Sequence, residues 1–165
     1  MRRANGRSTC PVSFGLEIFG DPWSMLVVRD VVYFGKHTFN EFLASDEAIS
    51  PSVLSTRLEA LTDAGILRRS PDPGDRRRVR YDLTERGLAL IPVMVEIAEW
   101  GATHDPGTGA PADWIALVRE NKAEMVRRYT DTVRRGGAVF VGEDSVLAQV
   151  RSLRGAPPDP APVSA

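Results

Sequence analysis

Residues 49–83 read ISPSVLSTRLEALTDAGILRRSPDPGDRRRVRYDL, and this stretch decides the fold. Ser50-Pro51 is a helix start, with a serine N-cap and a proline at the first helical position, where no N–H partner is needed. Leu54, Leu58 and Leu61 follow at i, i+4, i+7, so one face of the helix is apolar. Gly65 is the expected C-cap. On a helical wheel the opposite face holds Ser52, Ser55, Thr56 and Glu59, short and mostly polar side chains that let a helix lie close against something. Ile66 to Arg69 and Val79 to Leu83 then read as two strands. Val79, Tyr81 and Leu83 alternate with Arg78, Arg80 and Asp82, the period of a half-buried strand. Pro71-Asp72-Pro73-Gly74-Asp75 between them is dense turn chemistry. A helix followed by a basic hairpin is the result.

Working outward, Thr84 caps a further helix. Leu83 and Leu88 stand at the spacing of a hydrophobic staple. Leu88, Ile91, Val95 and Ala98 line one face of that helix, which is expected to end near Trp100 and to kink at Pro92. Upstream, Phe39, Phe42 and Leu43 give a short helix. Thr38 either caps it or ends a very short strand, and Asp46 to Ala48 form a turn. Asp21-Pro22 opens a helix that runs to about Phe34 and stops at Gly35. Cys10 to Phe19 reads as another helix, with Pro11 in its first turn and Leu16 and Phe19 facing the core. The order is helix, helix, short helix, capped helix, basic hairpin, helix: mainly α with a small β-hairpin, a winged helix-turn-helix.

The expected organisation is a flexible arm over 1–9, a winged helix-turn-helix domain over 10–101, a Gly/Pro linker over 102–112, a mainly helical extension over 113–155 and a disordered tail over 156–165. In the extension, Asp113 to Arg135 reads as one helix with Trp114, Leu117, Val118, Met125 and Tyr129 mainly on one side. Val139 to Val141 reads as either a short strand or a connection, and Ser145 to Leu153 as a last helix.

Composition narrows the chemistry. The chain has 165 residues, 42% hydrophobic and 26% charged, with net charge −1. One domain with an appendage fits that length. No run of about 18 apolar residues occurs, and no apolar segment follows the basic start, so neither a membrane span nor a secretory signal is expected. A soluble cytoplasmic protein is the expectation. One cysteine, Cys10, and two histidines, His37 and His104, leave no cysteine zinc cluster or histidine-rich metal site. The histidines read as surface residues. No phosphate-cradling glycine loop and no spaced Ser-His-Asp set appears, so neither an enzyme nor a cofactor is expected.

The charge is uneven. Residues 50–83 carry seven basic and five acidic side chains and are net positive, whereas the segments before and after them are net negative. A local basic patch on a near-neutral protein is an electrostatic footprint for polyanions. A helix fits the B-DNA major groove, and an arginine-bearing loop fits the adjacent backbone or minor groove. The candidate DNA-binding residues are therefore Ser50, Ser52, Ser55, Thr56 and Arg57 on the helix, with Arg76, Arg77, Arg78 and Arg80 on the wing. Arg57 has two readings, a phosphate contact or a pair with an acidic neighbour. Adjacent Arg68 and Arg69 cannot both face DNA, and Asp72 and Asp75 shape the turn.

The ordered set Cys10-Pro11-Val12, Gly20-Asp21-Pro22-Trp23-Ser24-Met25-Leu26, Arg29-Asp30, Phe39-Asn40-Glu41-Phe42, Ile49-Ser50, Arg57-Leu58, Ala64-Gly65-Ile66-Leu67 and Tyr81 to Gly87 resembles the HxlR-type winged helix-turn-helix regulators, from about Cys10 to Gly101. The resemblance implies a bacterial transcription regulator that binds an inverted-repeat operator in double-stranded DNA as a homodimer, with the N-terminal helix and the helix after the wing in the dimer contact. Typical members end soon after the position of Trp100, so the resemblance assigns nothing to the extension. Cys10 stands before Pro11 at a helix start, a position where thiols are reactive. It reads as a passive thiol near the dimer contact or as a sensor of oxidants and electrophiles. A small-molecule effector is the other regulatory input, and Trp23, Trp100 and Trp114 read as packing residues before they read as its pocket. The competing class is a winged-helix protein-interaction module without DNA specificity.

Overall fold

The computed structural model describes residues 8–154. The expected arm and tail lie outside the described residues, apart from the arm's Ser8 and Thr9. The elements in chain order are α1 (Pro11–Phe19), α2 (Ser24–Phe34), α3 (Phe39–Leu43), α4 (Pro51–Asp63), β1 (Leu67–Pro71), β2 (Val79–Leu83), α5 (Glu85–Leu88), α6 (Ile91–His104), α7 (Ala112–Glu120), α8 (Lys122–Arg134) and α9 (Val146–Arg154). This is the winged helix-turn-helix read from the sequence, with helices added behind it.

Local signals set the boundaries. Asp21 Oδ1 accepts the N–H groups of Trp23 at 2.9 Å and Ser24 at 3.0 Å, which caps the start of α2 although regular helix begins at Ser24. Ser50 Oγ accepts Val53 N–H at 3.4 Å, and Thr84 Oγ1 accepts Gly87 N–H at 3.1 Å. The C-cap of α4 is Ala64, and Gly65 follows it with φ 70°, the left-handed conformation that ends the helix. β1 and β2 pair antiparallel from Leu67 opposite Leu83 to Pro71 opposite Val79. Thr38 takes both of its expected roles: it bridges Arg80 beside the hairpin and stands at the N-cap of α3.

One apolar core joins everything. Val28, Val31 and Val32 of α2 meet Phe42, the three leucines of α4, Ile66, Leu67 and Ile91. Trp114, Met125, Tyr129 and Val139 extend the same cluster into the C-terminal helices.

Several expectations are corrected. Leu16 is 59% exposed: α1 has an apolar face, but within one chain only part of it is covered. Pro92 does not kink a continuous helix. It sits in the first turn of a separate helix, α6, because a proline offers no N–H to continue the turn of α5. α6 also runs past Trp100 to His104, so the linker shortens to 105–111. The expected long helix breaks at Asn121, whose side chain turns back to the Leu117 carbonyl at 3.1 Å, giving α7 and α8. Val139 to Val141 is not a strand. Val139 and Phe140 instead donate N–H groups to the carbonyls of Val32 at 2.9 Å and Tyr33 at 3.0 Å. His37 is buried, whereas His104 is exposed as expected.

Candidate nucleic-acid interface

α3, the turn after it and α4 form the helix-turn-helix. α4 buries Leu54, Leu58 and Leu61 and leaves Ser52, Ser55, Thr56 and Glu59 exposed, as its periodicity requires. Ser50 is exposed at the helix start, where its hydroxyl also lies 3.3 Å from Ser52 Oγ. Thr56 Oγ1 donates to the Ser52 carbonyl at 3.0 Å. Its proton is thus spent inside the helix, while its methyl group and lone pairs stay available. Arg57 takes the second of its two readings. Its Nη1 lies 3.2 Å from Asp21 Oδ2 and ties α4 to the start of α2. Burial raises the Asp21 carboxyl, but hydrogen bonds from Ser24 and from the backbone of Trp23 and Ser24, with Arg57 beside it, hold it below its ordinary value.

The wing sorts its arginines. Asp72 Oδ1 accepts Gly74 N–H at 2.8 Å and Asp75 N–H at 3.0 Å, and Asp75 Oδ1 accepts Arg77 N–H at 3.0 Å. Both aspartates therefore shape the tip. Arg76 and Arg77 are exposed and form no ion pair among the described residues. Arg78 is exposed and lies 3.4 Å from Asp75. Arg80 departs from its expected outward role: it is half-buried and donates to Asp82 at 2.9 Å. Arg69 lies over the Tyr81 ring at 5.8 Å, and Arg68 stands 3.8 Å from Asp82. The tip carries its free cations at 76 and 77.

Two polar networks fix this geometry, and periodicity alone does not expose either. Asp30, 3% exposed, accepts from Ser45 Oγ and from Arg29, whose guanidinium also clamps Glu47. Lys36 Nζ donates to Ser45 at 2.9 Å. The turn before α4 is thus held against α2. The Arg29 hydrogen bond lowers Glu47, and although burial disfavours the Arg29 cation, Glu47 and Asp30 raise its pKa. The sequence clue was a charged pair, Arg29-Asp30, in an otherwise apolar helix. At the wing's root, His37 Nδ1 lies 3.1 Å from both the Tyr81 carbonyl and Asp82 Oδ1, and Tyr81 N–H donates to the His37 carbonyl at 2.7 Å. Burial lowers the His37 pKa, against the Tyr81 hydrogen bond, so the ring is neutral at pH 7.

Cys10 is exposed, at the N-cap of α1. α1 shows Val12 and Leu16 to solvent, and α6 shows Ile97 and Trp100. Trp100 is 68% exposed, whereas Trp114 is buried and donates from Nε1 to the Tyr129 hydroxyl at 3.1 Å. Trp23 borders a cavity of about 10 Å³, the space of a single water. Among the described residues no cluster of side chains could hold a metal ion, and no helix is long and apolar enough to cross a membrane.

A family model described as HxlR-like helix-turn-helix matches residues 18–107. The chain is 34% identical over 100 residues to the uncharacterized HTH-type transcriptional regulator Rv3095 of Mycobacterium tuberculosis, covering 61% of this chain and 62% of that one. The chain thus spans less than two thirds of that relative's length. Among solved structures, PA1607 superposes with TM-score 0.58 and 34% identity, over 64% of this chain and 73% of that one. The redox regulator HypR in its oxidized form superposes with TM-score 0.51 and 30% identity, over 58% of this chain and 97% of that one.

Proposed function

The chain belongs to the HxlR-like helix-turn-helix family of transcription regulators, and we propose that it is a homodimeric, sequence-specific DNA-binding regulator that acts by binding, not by catalysis. The observation that carries this reading is the pairing of a small, polar, exposed α4 face with an adjacent wing tip whose Arg76 and Arg77 form no ion pair among the described residues. α4 enters the major groove. Ser52, Ser55 and Thr56 meet base edges or phosphates, and Ser50 at the helix start meets a phosphate. Arg76, Arg77 and Arg78 contact the backbone or the minor groove. Arg57 and Arg80 hold the fold, each through an aspartate, and act as supports for the reading head.

The dimer joins α1 and α6 of two chains. Its support is the exposed apolar set Val12, Leu16, Ile97 and Trp100, on elements at the two ends of the 10–101 region. Two recognition helices about 34 Å apart then read an inverted repeat with half-sites one helical turn apart. Such a protein acts in the cytoplasm, with the chromosome.

A second reading concerns control. The likeness to the redox regulator HypR and the exposure of Cys10 favour a thiol switch, in which an oxidant joins Cys10 to its counterpart in the other subunit or to a small thiol. Fluorescence anisotropy with DNA from upstream of the protein's own gene tests both readings, using excess competitor at two salt concentrations with reduced and mildly oxidised protein. Salt-sensitive binding that survives competitor supports the regulator, and its change on oxidation, absent in Cys10→Ser, supports the switch. Binding no better than competitor at any upstream or genome-selected sequence favours the protein-interaction module instead.

A further inference from the structure

A cleft of about 580 Å³ opens between the root of the wing and the end of α8. That size lies within the range of sites that enclose small organic ligands. One wall comes from the helix-turn-helix domain and the other from Val133 to Gly136, beyond the 18–107 span of the family match. Its floor is apolar, made by Val31, Leu83, Leu88 and Val133, all buried.

The rim is cationic. Arg68, Arg80, Arg134 and Arg135 face two carboxylates, Asp82 and Glu85, and the neutral His37. Two of the four guanidinium groups are engaged. Arg80 holds Asp82 at 2.9 Å, and Arg134 clamps both oxygens of Glu85 at 3.0 Å. Arg135 forms no ion pair among the described residues, and Arg68 reaches Asp82 only at 3.8 Å. One under-used cation thus stands on the wing and one on the extension, over a shared apolar floor. That arrangement suits an organic anion with an apolar body, because a guanidinium binds a carboxylate through paired, charge-assisted hydrogen bonds.

We propose that this cleft binds a small amphipathic carboxylate, and that its occupation ties the wing to the C-terminal extension and so alters DNA affinity. The second half rests on the regulator reading given above; the first does not. Linkage makes the effect reciprocal, so DNA changes the ligand's affinity by the same factor.

The test titrates the isotope-labelled full chain with 4-phenylbutyrate and with its uncharged isostere 4-phenylbutyramide, following amide resonances by NMR. The expected result is saturable shifts centred on Leu88, Arg135 and Gly136 with the acid, and about tenfold weaker binding both for the amide and for the acid with Arg135→Glu, as the loss of one charge-assisted bond implies. Arg135 is exposed, so that variant keeps its fold, and an unchanged melting temperature confirms it. Absence of saturation, equal affinity for acid and amide, or shifts centred elsewhere overturns the site. Arg135→Glu weakening all DNA sequences while leaving acid binding untouched also overturns it and reassigns the cleft to the DNA backbone. With the cleft saturated, operator affinity unchanged within about twofold overturns the regulatory half alone. If no DNA binds at all, the regulator reading fails while the titration still decides the site.

Discussion

Gly87 offers a sharp test of how the wing is seated. A Cβ built there would stand 2.3 Å from the Ile66 carbonyl oxygen and 2.8 Å from Leu83 Cδ2. The leucine tip can rotate away. The carbonyl cannot, because it is backbone and already accepts Thr84 N–H at 3.0 Å. Overpacking costs about 1–3 kcal/mol, and a backbone collision belongs at the upper end. Alanine recovers up to about 1 kcal/mol through helix propensity. Gly87→Ala is therefore expected to lose about 2 kcal/mol, which for a chain of this length lowers the melting temperature by about 4–8 °C. The comparison is Gly65, where a Cβ meets nothing within 4 Å but φ is 70°. There the cost of alanine is conformational, about 1–2 kcal/mol, and asparagine, which tolerates the left-handed region, restores part of it. At Gly87 asparagine is larger and has no such advantage, so it should be at least as harmful as alanine. Urea melts of the four variants read the difference. A neutral Gly87→Ala, or rescue by asparagine at 87, refutes the steric argument.

Four further outcomes follow from the same geometry. Arg77→Ala weakens binding to all DNA sequences alike and lowers the slope of log affinity against log salt by roughly one; a loss confined to one base pair sinks the phosphate role. Thr56→Ala removes the exposed methyl group and shifts operator preference by about 1–3 kcal/mol at one base pair, so an unchanged selection profile eliminates Thr56 as a reader. His37 has a folded pKa below its unfolded value of about 6.5. The unfolded chain binds its proton first as pH falls, so His37's contribution is intact above about pH 6.5 and is lost below it; His37→Asn should flatten stability between about pH 7 and 5, and parallel pH curves for the two proteins count against a buried neutral ring. Trp100→Lys places a charge on the proposed dimer face and should weaken association by about 2 kcal/mol or more, read as a shift to monomer mass in sedimentation; an unchanged dimer mass at micromolar protein moves the interface elsewhere.

What was legible in the sequence was whatever a local rule controls. Ser50-Pro51, the Leu54-Leu58-Leu61 stripe and Thr84 each act within a few residues, and each stands where it was read, whereas the turn shifts to 72–78 because β1 runs on to pair Pro71 with Val79. What was not legible depended on partners distant in the chain. The stripe of α1 states that Leu16 is apolar but not what covers it, and among the described residues it stays 59% exposed. A single histidine has no period, so His37 gave no sign that the Tyr81 backbone, 44 positions on, would enclose it. Alternation along β2 placed Arg80 beside Arg78, yet Thr38 pairs against that stretch and Asp82 draws the guanidinium in, so the two arginines part ways. Charge count found the wing; only the ion pairs separate the arginines that are free from those that brace.

The extension is harder to regard as an appendage once the end of α2 is considered. A helix leaves its last four carbonyls without partners of its own. Gly35 N–H serves Val31 at 3.2 Å, but Val32 and Tyr33 are served by Val139 and Phe140. Aromatic rings of the extension also pack on the helix: Tyr33 meets Phe140 in a tilted contact at 5.2 Å and Tyr129 of α8 edge-on at 6.1 Å. Burial there pushes the Tyr33 phenol up to about 12. Removing residues 108–154 would strand two carbonyls and expose that cluster, although every residue of the family match remained. α2 is also the helix that Asp30 locks to the turn before α4. One helix therefore receives the recognition unit through its buried aspartate and the extension through its C-terminal carbonyls. The recognition unit and the extension thus meet on a single element and not across a linker.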